Sequence, residues 1–281
     1  MDSEDNVYIL NRGPHPVIVV DKNGNFLRSW GEGEFDARAH GIHCSPDDHI
    51  WTVNDNQHCI KKYTHEGKLV LTVGIENQAA EKWSGRPFNR PTNMAISPNT
   101  GDVYVTDGYG NSRVHRYTSE GKHVVSWGAP GVDPGEFQIP HNVVVDQNED
   151  VFVTDRENHR LQVFDSNGKL KSIWQNVYRP QTLCMDGEGT IYIGEMLMIP
   201  ELSDNPRVGH RLNAYNKKGE RLARIGAAEI GDGPDQFIAP HGLGVDSQGN
   251  LYVGEVSYTV YGRRMDPPKT FRCFRKLKRM G

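Results

Sequence analysis

The sequence predicts an all-β, six-bladed β-propeller on three observations. The first is a recurring phrase of two short β-branched strands joined by a polar turn. Its fullest copy runs Pro140-His141-Asn142-Val143-Val144-Val145-Asp146 and then Val151-Phe152-Val153-Thr154-Asp155. The second is spacing. From an anchor residue at the start of the first strand to an acid at the end of the second there are 15 residues in His40–Asp55 and Thr92–Asp107. There are 14 in His141–Asp155, Gln181–Glu195 and His241–Glu255. A fixed interval of this kind is the mark of a repeated structural unit. The third is the outer half of each unit. Asn23-Gly24, Glu66-Gly67, Glu120-Gly121, Asn167-Gly168 and Lys218-Gly219 are hairpin turns, and Ser29-Trp30-Gly31, Thr72-Val73-Gly74, Ser126-Trp127-Gly128 and Arg224-Ile225-Gly226 close the outer strands. Four antiparallel strands per unit, repeated around a ring, make a propeller blade.

Taken in order, residues 7–30 form an incomplete copy that lacks the inner strand. Complete copies are expected at about 40–74, 92–128, 141–174, 181–226 and 241–277. No unit can bury both faces alone, so residues 1–281 are expected to form a single domain. Long inserts occur at 75–90 and 196–210, and inserts of this length sit over binding faces. Residues 256–270 read as irregular, followed by one late strand within Thr270–Leu277.

Composition narrows the function. The chain has 281 residues, enough for a sizeable core, and a net charge of −4. That charge argues against a nucleic-acid binder. The one basic run, Arg272 to Arg279, reads as a solvated strand edge or tail. No apolar run is long enough to span a membrane, and no signal peptide is visible. Cys44, Cys59, Cys184 and Cys273 lack the spacing of a metal or redox motif. Cys44 and Cys59 would suit adjacent strands, but free thiols are the simpler reading.

The anchors carry the chemistry. His40, His141 and His241 fall two blades apart each time, hence roughly 120° apart in a six-bladed ring. Each begins an innermost strand, so the three imidazoles can meet at one depth. Three histidines with a vacant fourth position are the donor set of a catalytic zinc or another divalent transition ion. A single histidine here would more simply cap its strand; three in register favour the metal. His43, His58, His115, His159 and His210 lack this symmetry and read as surface or wall residues.

The second strand returns beside the anchor, which brings Arg12, Tyr109 and Arg156 to the same end. Two arginines there suit a carboxylate-bearing small molecule or peptide, and a tyrosine beside a cation can serve as a base. For Asp155-Arg156, an ordinary ion pair that orders the turn is the other reading. Asp55, Asp107, Asp155, Glu195 and Glu255 recur in every blade, so they are assigned to structure, as acceptors of turn N–H groups.

The repeat, with Val163-Phe164-Asp165-Ser166-Asn167-Gly168-Lys169, resembles the NHL repeat. NHL propellers include both enzymes and binding platforms. More specifically, Asn11-Arg12-Gly13-Pro14-His15, His40-Gly41-Ile42, Asp107-Gly108-Tyr109-Gly110-Asn111-Ser112-Arg113, Pro140-His141, Asp155-Arg156-Glu157-Asn158 and Pro240-His241 resemble, in order, motifs of the peptidyl-α-hydroxyglycine α-amidating lyases. The resemblance implies zinc on His40, His141 and His241, Tyr109 as base, and Arg12 and Arg156 on substrate. It implies cleavage of the C–N bond of a carbinolamide to an amide and glyoxylate. Gly242 replaces an aspartate that helps bind the family's structural calcium, and Gly110, Phe152 and Val163 replace disulfide cysteines. The loss of those bridges fits a cytoplasmic chain. The family's hydroxylating domain is missing from the sequence, so either a separate hydroxylase would supply the substrate or the substrate is not a peptide. A non-enzymatic propeller that binds proteins or ligands is the alternative. A lactonase-like hydrolase is disfavoured, because the anchors are histidines where it needs carboxylates and asparagines.

Overall fold

The computed structural model describes residues 1–197 and 208–280, and most of the predicted insert at 196–210 lies outside them. Among the described residues the strands form six antiparallel sheets, the blades of a six-bladed β-propeller. The second to fifth blades have four strands each, and the first and sixth have three. The first blade lacks its inner strand, as expected. The sixth corrects the expectation of a complete copy: it consists of Pro240–Val245, Leu251–Glu255 and Phe274–Leu277, with no outer strand. Between its second and third strands the chain makes a helical turn, Ser257–Val260, and a 3₁₀ turn, Gly262–Arg264.

Two compact units can be recognised. One is Met1–Val153 with Gln162–Ile173; the other is Thr154–Leu161 with Trp174–Gly281. In the first unit, Ile50–Asn54 and Val103–Asp107 are buried along their whole length, on both faces of the blade. The outer strands Phe26–Trp30 and His123–Trp127 are exposed at their start and buried only at their last residue. Strands read as continuous hydrophobic runs where both faces are covered and alternate where one is wet. The covered faces meet the neighbouring blade. Tyr8, Val17, Val19, Trp30, Ile50 and Tyr63 form one such interblade core, and Trp51, Val53, Phe88, Met94, Val103 and Tyr117 form the next. In the second unit the same layer is Leu212, Phe237, Leu251 and Val253 with Cys184.

The tryptophan that ends an outer strand packs on an aromatic residue of the following blade. The ring centroids are 5.1 Å apart for Trp30–Tyr63, 5.8 Å for Trp127–Phe164 and 5.9 Å for Trp174–Tyr215. Cys44 and Cys59 lie two strands apart in the second blade, on Ala39–Cys44 and Cys59–Tyr63, rather than on adjacent strands. All four cysteines are free.

The basic C-terminal run supplies the edge strand of its blade, with Arg272, Lys278 and Arg279 exposed and only its middle drawn inward. Arg275 is buried, with Nη2 donating to Glu255 at 3.1 Å, and Lys276 pairs with Asp246 at 3.2 Å. Arg279 pairs with Glu188 at 3.0 Å. As the third strand of its blade, the run places alternate residues against the interior.

The hairpin turns explain the recurring glycines. At Gly168 φ is +86°, and a Cβ would stand 2.6 Å from the ring of Trp127. Gly168→Ala is therefore expected to destabilise the protein by about 1–3 kcal/mol, from left-handed strain and overpacking together. Urea unfolding of the variant against the parent measures it.

Candidate metal and substrate site

The anchors sit where each inner strand enters its blade. In the second blade Ala39 pairs with Asn54 and Gly41 with Val53, which leaves His40 as the extra residue of a β-bulge. Gln181 and His241 occupy the same bulge in the fifth and sixth blades, between Pro180 and Thr182 and between Pro240 and Gly242. A bulge re-aims the side chain it carries and is common next to functional sites.

The anchors are also tied to the strand that follows. His40 Nδ1 donates to the Thr92 carbonyl. Thr92 Oγ1 donates to the Pro140 carbonyl, 2.7 Å away, directly before His141. Gln181 Nε2 donates to the Pro240 carbonyl, also 2.7 Å away, directly before His241. The two anchors that are not histidine thus hold the strands that present histidines. Gly108 makes room for this belt: a Cβ there would lie 2.1 Å from the Pro140 oxygen.

A carbonyl can only accept, so His40 carries its proton on Nδ1 and leaves Nε2 as a bare lone pair. Tyr109 Oη lies 2.9 Å from that nitrogen and 3.0 Å from His141 Nε2. His40 and His141 are almost fully buried, and their ring centroids are 5.0 Å apart. One ligand nitrogen from each of His40, His141 and His241 lies within 4.8 Å of the other two. Among the described residues this is the one group of three or more histidines, cysteines or carboxylates close enough to share an ion. Neutral imidazoles, one with its second nitrogen donated to a carbonyl, are the donors and support that a zinc-type site uses.

Arg12 reaches this end of its blade: Nε donates to the Ala39 carbonyl at 3.2 Å, directly before His40. Burial, and then the charge of Arg38, hold its pKa below the ordinary guanidinium value. Arg156 is buried in the 3₁₀ turn Arg156–Asn158, and its Nε donates to Glu157 at 2.7 Å. Glu157 is shared with Arg179, 2.8 Å away, while Asp155 pairs with Arg160 at 2.8 Å. The ion pairs described in this turn thus run from Arg156 to Glu157 and from Asp155 to Arg160, not within the expected Asp155-Arg156 pair.

The recurrent acids accept N–H groups from the segment three residues ahead of an anchor. Asp107 accepts the N–H of Asn89 at 3.0 Å, Glu195 that of Tyr178 at 3.0 Å, and Glu255 that of Ile238 at 2.7 Å. Asp55 departs from this pattern and pairs with Arg38 and Arg90. Those two arginines were not among the sequence candidates. Arg38, Arg90 and Arg179 each stand two residues before an anchor, and that recurrence was the available signal. His115 and His210 are completely buried, which leaves the wall rather than the surface reading for both.

Burial raises the carboxyl pKa of Glu195 above its ordinary value, against the opposing Tyr178 N–H and Arg224 charge. The folded chain therefore holds that proton more tightly than the unfolded one. The penalty is absent below the ordinary carboxylate range and grows as pH rises through the raised value. Glu195→Gln should accordingly gain stability relative to the parent between pH about 4 and about 7, read by urea unfolding at both.

Among known proteins, the NHL repeat model matches residues 88–117 and 137–164. The chain is 30% identical over 270 residues to NHL repeat-containing protein 3 of Homo sapiens, a match that covers 89% of this chain and 73% of that protein. It is 29% identical over 270 residues to peptidyl-alpha-hydroxyglycine alpha-amidating lyase 1 of Drosophila melanogaster, covering 88% of this chain and 48% of that one. This chain thus spans about half of the fly lyase. Among solved structures, a streptogramin B lyase superposes with a TM-score of 0.64 at 14% identity, over 100% of this chain and 82% of the other. At that identity the likeness concerns the fold alone.

Proposed function

Because this chain belongs to the NHL repeat family, whose members differ in what they do, we propose its activity from the site: a metal-dependent lyase that breaks the C–N bond of an N-(α-hydroxyalkyl) compound such as an α-hydroxyglycine derivative. The observation that carries the reading is Tyr109 Oη, placed 2.9 and 3.0 Å from the Nε2 atoms of two buried histidines. A structural tyrosine on a blade rim has no need of two imidazole partners.

In this reading His40, His141 and His241 hold a divalent transition ion, zinc being the one their chemistry suits. When bound, the ion would supply a fixed positive charge to this end of the site. Tyr109 takes the proton of the substrate hydroxyl at Oη. The C=O bond forms from the freed electron pair as the C–N bond breaks, and the proton returns from Oη to the leaving nitrogen. The products are an amide and an aldehyde, glyoxylate for an α-hydroxyglycine, with no net redox change and no water consumed. Arg12 and Arg156 hold the carboxylate on the aldehyde side. Burial of both histidines keeps bulk water from the proton path. The fly relative's name records a reaction of this class, and the Homo sapiens relative's name records only the repeat. The second reading is therefore a propeller that binds without reacting.

Protein purified without added metal is expected to carry about one transition ion per chain, and His141→Ala to lose it, by elemental analysis. An ion-free parent protein that turns over no α-hydroxyglycine compound would leave the binding platform. Tyr109→Phe should retain the ion and lower kcat by about 10²–10⁴-fold, the usual contribution of a positioned base. Equal loss of ion and turnover in that variant would assign Tyr109 to support of the histidines instead.

A further inference from the structure

Asp55 is completely buried and receives two guanidiniums. Arg38 gives it Nε at 3.1 Å and also Nη2, while Arg90 gives it Nη2 at 3.3 Å. Arg38 alone already supplies both carboxylate oxygens with donors, so Arg90 is surplus to neutralising that charge. Other blades meet the same need differently. Asp107 is satisfied by Asn89, Asn111 and His115, and Glu255 by two backbone N–H groups and Arg275.

The side chains of Arg38 and Arg90 are 37% and 40% exposed, so they are reachable from solvent, although Asp55 is not. Both lie over the ring of Tyr109, with guanidinium carbons 5.8 and 4.9 Å from its centroid. The Arg90 carbonyl also accepts the Tyr109 backbone N–H at 3.3 Å. Asp36 is the other acid close by. It accepts the Arg38 backbone N–H at 2.7 Å and the Asn56 side chain at 2.8 Å. With Arg12, three guanidiniums stand against two carboxylates around one phenol.

We propose that Arg38 and Arg90 form a second carboxylate-binding pair over the face of Tyr109, and that the enzyme selects substrates with a second carboxylate on the acyl side of the scissile C–N bond. This deepens the lyase reading and rests on it for the substrate. Asp55 fixes the two forks, and their one unneutralised charge attracts the anion. Arginine rather than lysine suits the role, because a planar fork both lies over an aromatic face and meets a carboxylate with two N–H groups.

The test compares N-succinyl-α-hydroxyglycine with its neutral succinamyl analogue. The parent enzyme should prefer the acidic compound by about tenfold or more in kcat/KM, the worth of one hydrogen bond to a charged group. Arg90→Gln leaves Asp55 with both nitrogens of Arg38, so it is expected to fold, and its preference should fall to about unity. Arg90→Lys should restore part of it. A merely structural arginine would change both rates together and leave their ratio intact. No preference in the parent, or an unchanged ratio in Arg90→Gln, overturns the proposal. Calorimetric titration with succinate separates it from the lyase reading. Succinate binding that Arg90→Gln abolishes, in a protein inert to every α-hydroxyglycine compound, keeps the cradle and removes the lyase. Turnover without discrimination removes the cradle alone.

Discussion

The site depends on hydrogen bonds that leave one anchor side chain and end on the next blade's inner strand. His40 to Thr92, Thr92 to Pro140 and Gln181 to Pro240 are the links described. Each joins two sheets at the end where the anchors enter their blades. A buried polar group left without a partner costs about 1–3 kcal/mol, so each link constrains the register of the blade it reaches. The constraint also reaches the chemistry. The bond to Thr92 fixes the His40 tautomer, and the tautomer decides which nitrogen is presented to Tyr109.

The buried acids form a second tier behind that belt. Asp107, Glu195 and Glu255 grip the segments that lead into Thr92, Gln181 and His241. Through those bonds they set where each anchor strand starts. In the second blade this tier has been converted. Asp55 grips arginines instead of backbone, and one end of a structural repeat becomes a half-exposed cationic pair beside the candidate base. Repeat proteins allow such conversion, because the remaining blades continue to carry the framework.

Much of this was legible in the chain. The interval from anchor to acid, the hairpin glycines and the tryptophan endings predicted six blades, and His40, His141 and His241 stood out because all three fall on one register position. Other features were not legible. A complete sixth blade was expected over 241–277; the blade has three strands, and the irregular 256–270 with one late strand, Phe274–Leu277, was the part of it that could be read. Arg275 read as solvated until its strand was seen paired beside Glu255. Arg156 could be placed near the site, but its bond to Glu157 depends on a turn geometry that spacing does not encode.

The sequence by itself determined the repeat, the residue type at each anchor and the end of the blade at which they gather, since period and polarity are local properties that survive any packing. Only the tertiary structure decided which side chains share partners: Tyr109 between two imidazoles, Thr92 on the carbonyl before His141, Arg38 and Arg90 on one carboxylate. Those pairings join residues tens of positions apart in the chain. Their distances follow from how blades stack, and stacking is a sum over the whole core rather than a property of any one stretch.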